Sequence, residues 1–70
     1  MSKMDSEWVK VYTSHDYFKS EIVRQVLTEH EVDAVVLDKQ GFPYRIGEVE
    51  VYVHQSNFNR AIEIIISSEL

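Results

Sequence analysis

Gly47-Glu48-Val49-Glu50-Val51-Tyr52-Val53-His54 decides the fold. Valines at 49, 51 and 53 alternate with Glu50, Tyr52 and His54 at the period of two that a β-strand imposes on its side chains. The valines therefore face a core and the other three face away, which describes a strand in a sheet with one covered and one open face.

Reading outward from this strand, Gln55-Ser56-Asn57 offers helix-capping residues, and Phe58, Ala61, Ile62, Ile65 and Ile66 follow at i, i+3, i+4, i+7 and i+8. That spacing predicts an amphipathic helix to the end of the chain, with Ile64 off the main stripe and hinting at a wider buried surface. On the other side, Gln40-Gly41-Phe42-Pro43-Tyr44-Arg45-Ile46-Gly47 contains the chain's single proline and both of its glycines, and reads as its one substantial loop. Before it, Val32 to Lys39 is rich in β-branched residues and predicts another strand. Further upstream, Thr13-Ser14-His15-Asp16 supplies N-cap candidates for a helix whose apolar stripe is Ile22, Val23, Val26 and Leu27 and which runs to about His30. Glu7 to Thr13 alternates again, with Val9 and Val11 on one face and Trp8, Lys10 and Tyr12 on the other. Residues 1–6 are polar and predict a frayed tail, leaving residues 7–70 as one domain.

The order is thus β-α-β-β-α, an α+β fold. Single-sided helices and strands pack as two layers, with both helices on the valine face. The crossover rule places the third strand between the first two, giving an antiparallel sheet of order 1-3-2. This is a ferredoxin-like two-layer sandwich lacking its last strand, so the outer edge of strand one is expected to be unpaired.

A domain of 70 residues buries only a modest fraction of its surface, and such domains often need a disulfide, a metal or a second copy of themselves. With no cysteine in the chain, self-association as a homodimer is the expected device. The formal net charge of −5 repels phosphate backbones and anionic lipid heads, so neither nucleic acid nor a membrane surface is an expected partner. No run approaches the roughly 20 apolar residues of a membrane span. The polar start lacks the apolar stretch of a signal peptide, and a cytoplasmic location is the expectation.

Trp8-Val9-Lys10-Val11-Tyr12, Glu21-Ile22-Val23, Val26-Leu27, Val32-Asp33-Ala34-Val35-Val36, Gly47 to Val53, Ala61 and the isoleucine-rich last helix together resemble the putative prokaryotic signal-transducing protein family. The resemblance covers nearly the whole chain through its core pattern. It implies a bacterial source, a cytoplasmic place and a fold akin to small regulatory domains such as the PII proteins. It also exposes a departure: the family usually has glycine just after helix one, where this chain has Glu31. Either His30 or Glu31 is then expected to carry left-handed backbone strain of roughly 1–2 kcal/mol, or the helix ends differently.

The residue types for chemistry are present without their arrangements. Ser14-His15-Asp16 has the members of a hydrolytic triad, but consecutive residues do not converge as a triad must, and helix capping accounts for them. His15, His30 and His54 fall at separate ends of the predicted elements, which gives no metal site. Neither glycine nor arginine lies between Thr13 and Phe18 to bind phosphate where strand one meets helix one. No catalytic residue, cofactor or metal ligand is expected, and the chain reads as a non-enzyme.

Two surfaces invite a partner. On the open sheet face, Tyr12 and Tyr52 are expected side by side at the centre, with Trp8 and His54 near one end. RNA-binding sheets use aromatics in this way but need basic surroundings, and here Lys10 is answered by Glu48 and Glu50. Simple cross-strand pairing is one reading, and an apolar, acid-rimmed patch that binds protein is the favoured one. The loop brings together Phe42, Tyr44 and Arg45, residue types enriched at binding hot spots, unless Phe42 and Tyr44 fold back to cap the sheet. These readings predict a non-catalytic interaction or regulatory module, dimeric, with an unidentified protein partner. The alternative is a small-molecule sensor with a metabolite held where two copies meet, for which only the 41–47 loop supplies a glycine-containing turn.

Overall fold

The computed structural model describes residues 7–41 and 46–70. Residues 1–6, the predicted tail, and Phe42, Pro43, Tyr44 and Arg45 of the loop lie outside the described residues. The elements are β1 (Trp8–Ser14), α1 (Tyr17–Glu29), β2 (Ala34–Asp38), β3 (Val49–His54) and α2 (Phe58–Ser67). They form an antiparallel three-stranded sheet of order β1-β3-β2, the predicted ferredoxin-like arrangement without its last strand.

Val49, Val51 and Val53 of the central strand are fully buried, as their alternation requires. With Val23 and Leu27 of α1, Val32, and Ala61 and Ile64 of α2, they make the core. Both helical stripes are rotated from their predicted positions. Ile22 is half exposed, and its place on the core side of α1 is taken by Ser20, buried with Val23 and Leu27 at i, i+3 and i+7. On α2, Ile64 is buried while Phe58 and Ile66 are exposed. An apolar sector wider than the contact it serves fixes which helix forms, and only packing selects the side that turns inward.

Asp16 caps α1 by accepting from the Lys19 amide at 3.3 Å, and Ser14 Oγ accepts from the Asp16 amide at 2.9 Å. The predicted capping role thus falls to Ser14 and Asp16. At the start of α2 the predicted capping residues differ from expectation. Gln55–Asn57 form a 3₁₀ turn, and Asn57 makes no side-chain capping bond.

The end of α1 resolves the question posed by Glu31. The Glu31 amide donates to Thr28 O and the Val32 amide to Leu27 O, both at 2.9 Å, which is the paired hydrogen bonding of a Schellman motif. That motif needs a left-handed residue, and Glu31 has φ 64°. The turn delivers Val32, 1% exposed, into the core beside Leu27. A second copy of the motif ends α2: Glu69 donates to Ile66 O and Leu70 to Ile65 O, with Glu69 at φ 58° and Leu70 packed on the core.

The hairpin between β2 and β3 narrows through a Lys39 amide bond to Glu48 O and a bridge between Gly41 and Ile46. Gly47 has φ 136°, and a Cβ there would stand 2.6 Å from Lys39 O, so only glycine fits where the chain enters β3. Gln40 ties this hairpin across the molecule by donating to His15 O at 2.7 Å.

Candidate functional site

The geometry of the open sheet face follows from the register. Trp8 stands opposite His54, Lys10 opposite Tyr52 and Val35 opposite Tyr52 on the other side, with Thr13 and Leu37 flanking Glu50. Trp8 and His54 stack with ring centroids 3.9 Å apart and planes 32° from parallel.

Tyr12 does not join them. A β-bulge between Lys10 and Tyr12 inserts one residue into β1, so that Tyr12 is opposite Val51 rather than an open-face residue. The extra residue reverses the facing of everything after it, and Tyr12 packs against the core while Thr13 takes the open side. The expected Tyr12–Tyr52 pair is therefore replaced by Lys10 beside Tyr52. Of the predicted surface residues, the fold brings Trp8 and Tyr52 onto this face, turns Tyr12 to the core, and Phe42, Tyr44 and Arg45 fall outside the described residues.

At the centre lies a group that strand alternation did not single out. Glu50 is only 2% exposed although it points to the open side. Its carboxylate accepts from Tyr52 Oη at 2.8 Å, from Lys10 Nζ at 3.2 Å and from Lys39 Nζ at 3.3 Å. Tyr52 belongs to the same strand two residues on, while the lysines reach in from the flanking segments. These three side chains drape over the carboxylate and shut water out. Their hydrogen bonds, the Tyr52 hydroxyl first, hold the Glu50 pKa below the usual carboxylate range. Reciprocally, the bond to Glu50 raises the pKa values of Tyr52 and Lys10. One carboxylate answers two ammonium groups, which leaves a formal charge of +1, and its bonds hold both lysines so that the middle of the face presents aliphatic stems as well as charge. Around it Trp8, Val35 and Leu37 each remain more than a third exposed.

Such a face can hold an apolar or mixed surface, and its ionised groups are already engaged with one another. The histidines sit apart. His15 stands at the β1–α1 junction, His54 is in the Trp8 stack, and His30 caps α1 with Nδ1 2.9 Å from Val26 O. Among the described residues no group of three or more histidine, aspartate or glutamate side chains is placed to hold a metal ion. A shallow groove of about 480 Å³ runs between the end of α1 and α2, lined by His30, Glu63, Ile64, Ile66 and Ser67. Arg60 bridges the same two helices by donating to His30 O at 2.9 Å. No helix among the described residues is long and apolar enough to cross a membrane.

Comparison with known proteins matches the chain to a family described as putative prokaryotic signal transducing protein, over residues 8–69. No curated protein and no solved structure matches the chain.

Proposed function

The chain belongs to the putative prokaryotic signal transducing protein family, and from that premise we propose that it is a non-catalytic interaction module, bacterial and cytoplasmic, that works as a homodimer and docks a protein partner. The observation that carries this reading is the open sheet face, where Trp8, Val35 and Leu37 remain exposed around the Glu50 network. A face left to water is normally polar; apolar side chains gathered on one side of a small domain mark a docking surface. The Glu50 network supports the same reading, because Glu50 is already buried beneath Tyr52, Lys10 and Lys39 and a partner need not desolvate that carboxylate. The net charge of −5 disfavours a nucleic-acid or anionic-membrane partner. Neither a cofactor nor a catalytic residue belongs to this proposal.

The test combines association and surface substitution. Sedimentation should give a dimer at micromolar concentration, and Trp8→Ala or Leu37→Ser should weaken partner binding while leaving the melting temperature within a few degrees. Partner binding that is indifferent to both substitutions refutes the open-face assignment.

The groove beside His30 favours a second reading, a sensor of a small molecule, since its volume lies within the roughly 300–1,000 Å³ range of ligand sites. A thermal-shift screen of amino acids and nucleotides separates the two. A ligand at a hundred times its Kd stabilises by about 2.7 kcal/mol, whereas a screen without shifts leaves the protein-binding reading.

A further inference from the structure

The core is sealed unevenly. Its central valines are fully buried, yet the core-facing residues of both edge strands are only partly covered, Val9, Val11 and Tyr12 of β1 and Ala34 and Val36 of β2, and so is Ile65 of α2. Both β1 and β2 pair with β3 alone among the described residues, and the gap on the α2 side of the sheet lies at the outer edge of β1.

Helix α2 overlooks this edge. It packs on β1 and β3, and the side it turns to α1 carries Arg60, Glu63 and Ser67, as the Arg60 bond to His30 and the shared groove show. At 3.6 residues per turn, Phe58, Ile62 and Ile65 lie on the opposite side, above the free edge of β1. Phe58 is 38% exposed. None of these residues is acidic, so the flank escapes the self-repulsion of a chain with net charge −5.

We infer that a second copy of this chain covers the gap, with the two β1 strands pairing antiparallel about a two-fold axis at Val9 to join the sheets into one of six strands. This deepens the homodimer of the proposed function and rests on it. The backbone parity is suitable. Gln55 donates to Glu7 O, so Glu7 and Val9 turn their polar groups toward β3, and Trp8 and Lys10 turn theirs outward. About Val9, Trp8 of one copy meets Lys10 of the other in a hydrogen-bonded pair, indole beside the aliphatic stem of the lysine on the open face. A two-fold at Lys10 would instead set like charges opposite each other, which destabilises a sheet. The bulge after Lys10 ends regular pairing there, and such irregularities blunt edges against open-ended addition. The strand contact is therefore short and closed, and the flanks of α2 meeting across the same axis supply the remaining area, as an isologous interface requires.

The chain lacks cysteine, which makes a single thiol a clean probe. At the two-fold, Val9 faces its own copy in a non-hydrogen-bonded pair with Cα atoms about 4.5 Å apart, inside the range a disulfide spans. Val9→Cys should form a covalent dimer under mild oxidation, while Leu37→Cys, on the opposite edge strand, should not. Independently, in the unsubstituted chain, amide exchange at Trp8 and Lys10 should slow as concentration rises. A dimer by sedimentation in which Val9→Cys does not cross-link, or cross-links no better than Leu37→Cys, and in which those amides stay unprotected, overturns the edge pairing and leaves the homodimer standing. A chain that sediments as a monomer at high micromolar concentration overturns both.

Discussion

Replacing Glu31 with glycine tests the link between the end of α1 and the core. Glu31 is held at φ 64° because two Schellman hydrogen bonds must close for Val32 to reach Leu27. A side chain in the left-handed region costs roughly 1–2 kcal/mol, and glycine escapes that cost. Glycine also loses more freedom on folding, which returns roughly 0.4–1 kcal/mol to the unfolded state. The difference is a net stabilisation of about 0.5–1 kcal/mol, or a rise in Tm of about 2–8 °C for a domain of this size. Removing a carboxylate from the negative end of a helix also stabilises, and that contribution must be separated from the backbone effect. Glu31→Ala provides the separation, since it removes the charge and keeps the Cβ. Urea denaturation of the two variants should therefore place Glu31→Gly above Glu31→Ala by the full 0.5–1 kcal/mol, about equal to the strain less the entropy. An alanine variant as stable as the glycine variant would refute the strain argument, and with it the claim that burial of Val32 forces the turn.

Glu69→Gly should give a gain of the same sign at the end of α2, and it should add to Glu31→Gly in denaturant melts since the motifs share no hydrogen bond. Ser20 Oγ is buried without a hydrogen-bond partner among the described residues, so Ser20→Ala should stabilise by about 1 kcal/mol, whereas loss of stability in urea would reveal a partner for the hydroxyl. For Glu50 the folded state lowers the pKa, so its stabilising effect is present above the usual carboxylate range and is lost as pH falls through the lowered folded value. Stability measured against pH should fall on acidification more steeply in the natural chain than in Glu50→Gln. For Tyr52 the folded pKa is raised, so its contribution is present below the usual tyrosine range and is lost as pH rises through the raised value. Tyr52→Phe should abolish that alkaline component.

Most of the fold was legible in the sequence. The Val49-Val51-Val53 alternation and the two helical repeats each follow from a local period, and a local period needs no knowledge of partners. The missing glycine at 31 was equally legible, because helix ends obey local backbone rules. The open face was read only in part. Trp8, Tyr52 and His54 fell where alternation put them, but Tyr12 did not, since a bulge exists only as a mismatch in count between β1 and β3 and neither strand records it alone.

Glu50 makes the same point in electrostatic terms. Alternation assigned it to the open side, which is correct, and solvent should then have reached it. Its burial comes from Lys10, Lys39 and Tyr52, of which two are brought to it from strand-length distances by the register. The choice of Ile64 over Ile66, and of Ser20 over Ile22, was likewise settled by how the helices rest on the sheet. The sequence by itself determined which elements form and their order, and narrowed the end of α1 to strain at His30 or Glu31 or a different helix end, because these depend on neighbours along the chain. The tertiary structure alone decided which face Tyr12 joins and how Glu50 is covered, because register and helix rotation are set by contacts between residues far apart in the chain.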